Sequence, residues 1–133
     1  MSRELTQKTK QTALNTENSH QSKGHYLGTV IDAKWWKRYK QDKLFARGNG
    51  KYWYDKTNFY FLRYLTKQPI QIPLNRIVGF EIGKSHAGRW VFREIVLKII
   101  WEKDGMSLSS GFIVAKDKPG TEAVMGVLKS LAS

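Results

Sequence analysis

The sequence predicts a mainly-β domain, a bent antiparallel sandwich or open barrel of about seven strands capped by one C-terminal α-helix. Three observations support this prediction. Short segments in which apolar and polar residues alternate recur between residues 25 and 115. Glycine, proline and Asn-Gly or Asp-Gly pairs separate these segments. Apolar residues at helical spacing occur only near the end, and the length of 133 residues suits one such domain.

The first predicted strand is long, because period-two alternation starts at His25 and continues to Arg38. The face expected to be buried carries Leu27, Thr29, Ile31, Ala33 and Trp35. The opposite face carries Asp32, Lys34, Trp36 and Arg38. The alternation therefore predicts a half-buried strand with a basic outer face.

A second, short strand is predicted over residues 43–47. It is followed by Gly48-Asn49-Gly50, and a tight hairpin turn is expected there because Asn-Gly accepts positive φ angles. Two aromatic strands come next, over residues 51–55 and 58–65. The segment 70–74 contains Pro73, which cannot donate a backbone hydrogen bond, so an edge or bulged strand is predicted.

The last three predicted strands cover residues 77–82, 90–101 and 106–115. A glycine-framed connection, residues 83–88, follows the first of them, and Asp104-Gly105 predicts a hairpin between the other two.

Only the end of the chain predicts a helix, over residues 119–131, with Asp117 as its N-cap. Pro119 suits the first turn, and Lys129 suits the last turn. The stripe expected to be buried consists of Val124, Val127, Leu128 and Leu131.

Composition divides the chain into a polar tail, residues 1–23, which we expect to be flexible, and a domain, residues 24–133. The chain contains no cysteine, which excludes disulfides, thiolate metal sites and cysteine nucleophiles. Its apolar runs are far shorter than the roughly 20 residues that cross a bilayer, so no transmembrane segment is expected. The expected location is cytoplasmic or peripheral to a membrane.

The order of elements, antiparallel strands followed by one amphipathic helix, resembles the pleckstrin-homology (PH) superfold. Three segments also resemble the GRAM-type variant of that fold: Gly50-Lys51-Tyr52-Trp53-Tyr54, Asn58-Phe59-Tyr60-Phe61 and Ile70-Gln71-Ile72-Pro73-Leu74-Asn75-Arg76-Ile77. The resemblance covers residues 43–82 by motif and residues 89–132 by order of elements. It implies a non-enzymatic adaptor that binds lipid headgroups or peptides, and prokaryotic members of this class often have no established ligand.

The resemblance also suggests where a ligand binds. Lipid-binding PH domains often carry a basic residue at the end of the first strand, and Lys37 matches that position. They often carry a basic-x-Arg pair in the second strand, and Leu44-Phe45-Ala46-Arg47 departs from that pattern.

Lysine and arginine number 23 against 11 acidic residues, a net charge of +12, which favours an anionic partner. The densest basic segment also contains a tryptophan, and we predict that it forms the binding site. Its candidate residues are Lys34, Trp36, Lys37, Arg38, Lys40, Lys43 and Arg47. The alternative is an ordinary solvated basic face whose Trp36 is covered by the tail or by neighbouring strands.

A secondary basic cluster lies in the long connection before the last two strands and consists of Lys84, His86, Arg89 and Arg93. A hydrogen-bonded surface histidine explains His86 better than a metal ligand does, since the other histidines lie near the tail. The sequence contains no motif for a catalytic triad, a paired carboxylate or a metalloprotease site. We therefore predict no catalytic residues, no metal site and no cofactor.

The expected partner is an anionic lipid surface or an acidic protein. Nucleic acid is the alternative, because a basic aromatic surface also suits single strands. A third alternative is an oligomerising domain, since the segment 69–74 would expose a strand edge to a second copy.

Overall fold

A computed structural model describes residues 21–34, 36–40, 44, 46–86, 89–90 and 95–133. Within these ranges the chain forms strands, one short 3₁₀ turn at Leu74–Arg76 and one α-helix, α1. The strands are β1 (Ser22–Ile31), β2 (Gly48–Tyr54), β3 (Asn58–Arg63), β4 (Ile70–Pro73), β5 (Ile77–Gly83), β6 (Ser85–His86), β7 (Arg89–Trp90), β8 (Val96–Lys103) and β9 (Met106–Ile113). Helix α1 spans Lys118–Ala132.

Seven of the strands form one open antiparallel sheet in the order β4-β3-β2-β1-β9-β8-β5, and β6 pairs with β7 in a separate small hairpin. The predicted fold class, about seven antiparallel strands with one C-terminal helix, is confirmed. Strand β4 lies at the edge, as its proline predicts. The Asp104-Gly105 turn is also confirmed, with φ angles of 50° and 79°.

Aromatic rings fill the core on the inner face of the sheet. The ring of Phe112 on β9 lies 5.0 Å from that of Phe59, 5.2 Å from that of Tyr26 and 5.7 Å from that of Phe61, measured between centroids. Leu128 from α1 is completely buried in the same cluster. The strands and the helix therefore share one core.

The helix begins where the sequence predicts, because Asp117 Oδ1 accepts a 2.8 Å hydrogen bond from the backbone N–H of Gly120. Its inward stripe differs from the prediction in one residue. Val127 is 41% exposed, so its predicted burial was wrong. Met125 packs against the core instead. It lies on the same face of the helix as the buried residues Thr121 and Leu128, whereas Val127 does not.

The predicted hairpin turn at Asn49-Gly50 was wrong, because both residues lie inside β2. Asn49 pairs with His25, and Gly50 pairs with Gly24 on one side and Arg63 on the other. The Cβ of any larger residue at position 50 would collide with the backbone carbonyl oxygen of Leu62. Glycine is therefore required here by a close approach of β3.

The predicted strand over residues 43–47 was also wrong, since its described members Leu44, Ala46 and Arg47 lie outside the strands. Leu44 is buried in the core, and Arg47 Nε donates a 2.8 Å hydrogen bond to the carbonyl oxygen of Leu27. The Arg47 side chain thus occupies a backbone carbonyl of β1 that a neighbouring strand would otherwise bond.

Two predicted boundaries also differ from the observed ones. Strand β8 begins at Val96, whereas Trp90 belongs to β7, so the strand predicted over residues 90–101 was too long. Strand β1 begins at Ser22, so the expected boundary between tail and domain falls within it. Residues 1–20 of the expected tail lie outside the described residues.

A chain of buried hydrogen bonds crosses the interior. Trp101 Nε1 donates to Ser110 Oγ over 3.0 Å, and Ser110 Oγ lies 2.6 Å from Thr29 Oγ1. Thr29 Oγ1 lies 2.6 Å from the Tyr26 hydroxyl, which donates to the Leu44 carbonyl over 2.6 Å. Because Trp101 can only donate and the carbonyl can only accept, every hydroxyl proton in the chain points toward Leu44.

We expect Tyr26→Phe to lower the free energy of unfolding by about 1–3 kcal/mol at neutral pH. The substitution removes the donor to the buried Leu44 carbonyl and the acceptor for the Thr29 hydroxyl. Denaturant unfolding measures the loss. Tyr64→Phe is the control, because Tyr64 is exposed and its substitution should change stability by less than about 0.5 kcal/mol. Equal stability of the two variants would contradict this role.

Tyr26→Phe should also change how the free energy of unfolding falls as the pH becomes alkaline. Burial raises the pKa of Tyr26 well above its ordinary value, and this outweighs the lowering effects of Thr29, Arg38 and Arg47. The folded state therefore holds this proton more tightly than the unfolded chain does. Its stabilising contribution is complete below about pH 10 and is lost as the pH rises above that value. Tyr26→Phe should make this decline shallower.

Candidate functional site

The candidate binding residues after β1 lie in a turn and a return segment. Strand β1 ends at Ile31, and Asp32 and Ala33 adopt left-handed backbone conformations with φ angles of 54° and 59°. The backbone N–H of Lys34 then donates to the Ile31 carbonyl over 3.0 Å. The prediction that Lys34, Trp36 and Arg38 project from one face of a continuing strand was therefore wrong.

Backbone hydrogen bonds hold the return segment beside β1. The N–H of Ile31 donates to the Lys37 carbonyl, and the N–H of Tyr39 donates to the Thr29 carbonyl, both over 2.8 Å. The N–H of Asp32 donates to the Ser107 carbonyl of β9 over 2.8 Å. Buried Tyr39 anchors the segment in the core. The turn is thus a part of the sheet's architecture.

We call Lys34, Trp36, Lys37, Arg38 and Lys40 the basic turn. The side chains of Lys34, Lys37 and Lys40 are exposed, and Trp36 is 61% exposed. An open depression of about 420 Å³ is lined by Ile31 and by every member of the basic turn except Lys34. Residues 32–40 contain four cationic side chains against one carboxylate, Asp32. The fold therefore brings cations and an exposed indole together.

Arg38 differs from the lysines because it is half-buried and lies over the backbone of Gly28. A Cβ at Gly28 would come within 2.8 Å of Arg38 Nη2 and 3.2 Å of Cζ. Gly28 also has a φ of 109°, which favours glycine. The guanidinium group is therefore held against the β1 backbone at Gly28.

The structure does not bring all the predicted residues together. Arg47 points its Nε at the Leu27 carbonyl, and Lys43 lies outside the described residues. In the secondary cluster, Lys84 is exposed, and His86 and Arg89 are backbone partners in the β6–β7 ladder. Arg93 lies outside the described residues.

The turn between β3 and β4 was missed by sequence reasoning. Leu65 at its tip is fully exposed, and Tyr64 beside it is 43% exposed. The segment contains no glycine or asparagine to signal a left-handed residue, so its sequence predicts that the strand over residues 58–65 continues through it. A fully exposed leucine was therefore not expected there.

Among the residues that the structure describes, no group of three or more histidine, aspartate or glutamate side chains is placed to hold a metal ion. In the same part of the chain, the single helix falls short of the length and apolarity that crossing a membrane requires.

Comparison with known proteins supports the architecture. No curated protein matches the sequence significantly. A model of a family described as bacterial PH domain-like matches residues 5–127, which is most of the chain. This match confirms the pleckstrin-homology part of the resemblance, whereas the GRAM-type variant stays a resemblance of residues 43–82. The chain belongs to the bacterial PH domain-like family.

Proposed function

We propose that this protein is a non-enzymatic adaptor that docks on an anionic membrane surface through the basic turn. The observation that carries the proposal is the exposed Trp36 beside Lys34, Lys37 and Lys40 on a turn held by backbone hydrogen bonds. PH-like domains are generally non-catalytic binding modules, which agrees with this class of function.

The chemistry of the basic turn favours a lipid surface. An indole side chain favours the boundary between an apolar medium and water. Lysine side chains reach headgroup phosphates while their hydrocarbon stems contact apolar groups. Each cation near an anionic leaflet contributes about 1 kcal/mol. The depression beside Trp36 is open, so it suits an extended charged surface better than one enclosed headgroup.

A parallel titration tests the proposal. The protein is titrated with vesicles of phosphatidylglycerol and phosphatidylcholine, with pure phosphatidylcholine vesicles, with a single-stranded oligonucleotide and with a polyglutamate peptide. We expect binding to the anionic vesicles, little binding to the neutral ones, and weaker binding as salt increases. Tighter binding to the oligonucleotide or the peptide at the same ionic strength would contradict the proposal and assign the surface to that partner.

A further inference from the structure

The tryptophan of β2 is buried on the face of the sheet that lies opposite the core. Tyr52 and Tyr54 pack into the core, so Trp53 between them projects from the outer face. On that face of β2, Asn49 and Lys51 are exposed, whereas Trp53 is only 8% exposed. A ring of this size is buried only where other groups cover it. The outer face of the sheet is therefore covered at Trp53.

Tyr60 on β3 covers one side of the Trp53 ring. The two rings stack with their centroids 5.2 Å apart and their planes 14° apart. The Tyr60 hydroxyl donates to Asp55 Oδ2 over 3.0 Å, and Asn58 Nδ2 donates to the same hydroxyl over 3.2 Å. The ring pair is thus held in place, but Tyr60 stands on the neighbouring strand. The sides of the indole toward β1 and toward solvent need a cover from another segment.

The N-terminal segment, residues 1–20, joins the sheet beside Trp53. Ser22 at the start of β1 pairs with Tyr52, so Gln21 lies level with Trp53. The bacterial PH domain-like family model matches from residue 5 onward, so most of the N-terminal segment falls within the region that the family shares. The segment is therefore attached at the right place to supply the missing cover.

The apolar content of the N-terminal segment fits this surface. Leu14 is the last large apolar residue before β1. The seven residues from Leu14 to Gln21 span up to roughly 23 Å when extended, at about 3.3 Å per residue. Asn18 between them suits a reversal of the chain. Leu14 can therefore reach the Trp53 ring from the end of β1.

The charges on the outer face also favour this segment. Lys23 and Lys51 are exposed and lie directly opposite each other on β1 and β2. Like charges in that position destabilise a pair of strands, and a carboxylate beside them offsets the repulsion. Glu17 lies between Leu14 and β1 in the sequence, so it stays close to both lysines when Leu14 contacts Trp53.

We propose that the outer face of β2 and β3 is an intramolecular docking surface, on which the N-terminal segment folds back so that Leu14 covers Trp53 and Glu17 contacts Lys23 and Lys51. The segment then forms a second, smaller apolar layer on the side of the sheet away from α1. This is the alternative to the flexible tail that composition predicts. The docking is independent of any membrane, so it is measured in solution without vesicles.

A paramagnetic label on the full chain tests this contact. The chain has no cysteine, so Thr16→Cys carries one nitroxide and leaves Leu14 in place. We expect the indole resonance of Trp53 and the amide resonance of Tyr60 to lose intensity, because both groups lie on the docking surface. The amide resonance of Leu128 should keep its intensity, because Leu128 packs in the core on the other side of the sheet.

Two leucine variants of the labelled chain form a matched pair. Leu14→Ser should restore most of the intensity of the Trp53 resonance, because the apolar anchor is lost. Leu5→Ser removes the same side chain farther from β1 and should leave that resonance broadened. Equal behaviour of the two variants would overturn the assignment of Leu14 as the anchor.

A mixed sample distinguishes this chain's own segment from that of a second copy. Isotope-labelled chains without a nitroxide are mixed with nitroxide-labelled chains that carry no isotope. We expect the Trp53 resonance of the isotope-labelled chains to keep its intensity. Broadening in the mixed sample would show that the segment docks on another copy, and it would overturn the proposal. An unbroadened Trp53 resonance in the doubly labelled chain would overturn it as well, since the segment would then lie away from the outer face.

Discussion

Replacing Lys34, Lys37 and Lys40 together by glutamine should weaken binding to anionic vesicles by on the order of a hundredfold. The three side chains are exposed on the basic turn, and each cation near an anionic leaflet contributes about 1 kcal/mol, about 3 kcal/mol together. The loss is electrostatic, so the salt dependence of binding should flatten as well. Vesicle sedimentation across a salt series measures both effects. The fold should survive, because these side chains face solvent.

The control variant must remove the same number of positive charges from a surface away from the basic turn. All three control lysines are exposed: Lys56 lies in the β2–β3 turn, Lys116 lies just before α1, and Lys118 is the first residue of α1. Strands β2 and β9 run antiparallel to β1, so these lysines, which follow β2 and β9, lie toward the opposite end of the strands from the basic turn. Changing all three to glutamine lowers the net charge by the same amount and should leave most of the binding intact. An equal loss in both variants would assign binding to total charge and contradict the basic turn.

Trp36→Ala separates the aromatic contribution from the electrostatic one. Trp36 is 61% exposed, so its removal should leave the melting temperature nearly unchanged. Binding should weaken at high salt as well as at low salt, because insertion of an indole at the interface is not screened by ions. A loss confined to low salt would show that Trp36 acts only by positioning its charged neighbours.

The residues of the candidate site were chosen from the sequence, and the geometry expected for them was wrong. Charge density and the neighbouring tryptophan identified the basic turn, but the expectation of one continuing strand failed at two places. The pairing of β1 shifts between Tyr26 and Gly28, and Asp32 and Ala33 turn the chain back with positive φ angles. Ala33 does not signal that conformation, and hydrogen bonds to β9 and to the return segment hold the chain in it.

The elements that were predicted correctly are those in which local chemistry and the tertiary fold agree. Asp104-Gly105 forms a turn and Asp117 caps the helix, because each residue satisfies a requirement of its own backbone. Asn49-Gly50 is the opposite case. The pair favours a turn locally, but β2 runs through it because its glycine lets β3 approach. A signal that depends on a neighbouring strand cannot be recognised from local sequence.

Gly50→Ala should therefore prevent stable folding. The added Cβ would collide with the Leu62 carbonyl oxygen and lie 2.8 Å from the Arg63 Cα. Both are backbone atoms of β3, so no side chain can rotate away to relieve the contact. Gly24, which pairs with Gly50 from β1, is itself confined, because a Cβ there would come within 2.8 Å of the Ile113 carbonyl oxygen. We expect a loss of more than about 4 kcal/mol, a large part of the stability of a domain this size.

Gly126→Ala is the matched control, since it adds the same methyl group to the same residue type. Gly126 lies exposed in α1 with nothing within 4 Å of its added Cβ, so alanine should raise the free energy of unfolding by up to about 1 kcal/mol. Denaturant unfolding and the dispersion of amide resonances measure both variants. If Gly50→Ala unfolds at the same denaturant concentration as the parent, β3 does not approach β2 as closely as this packing requires.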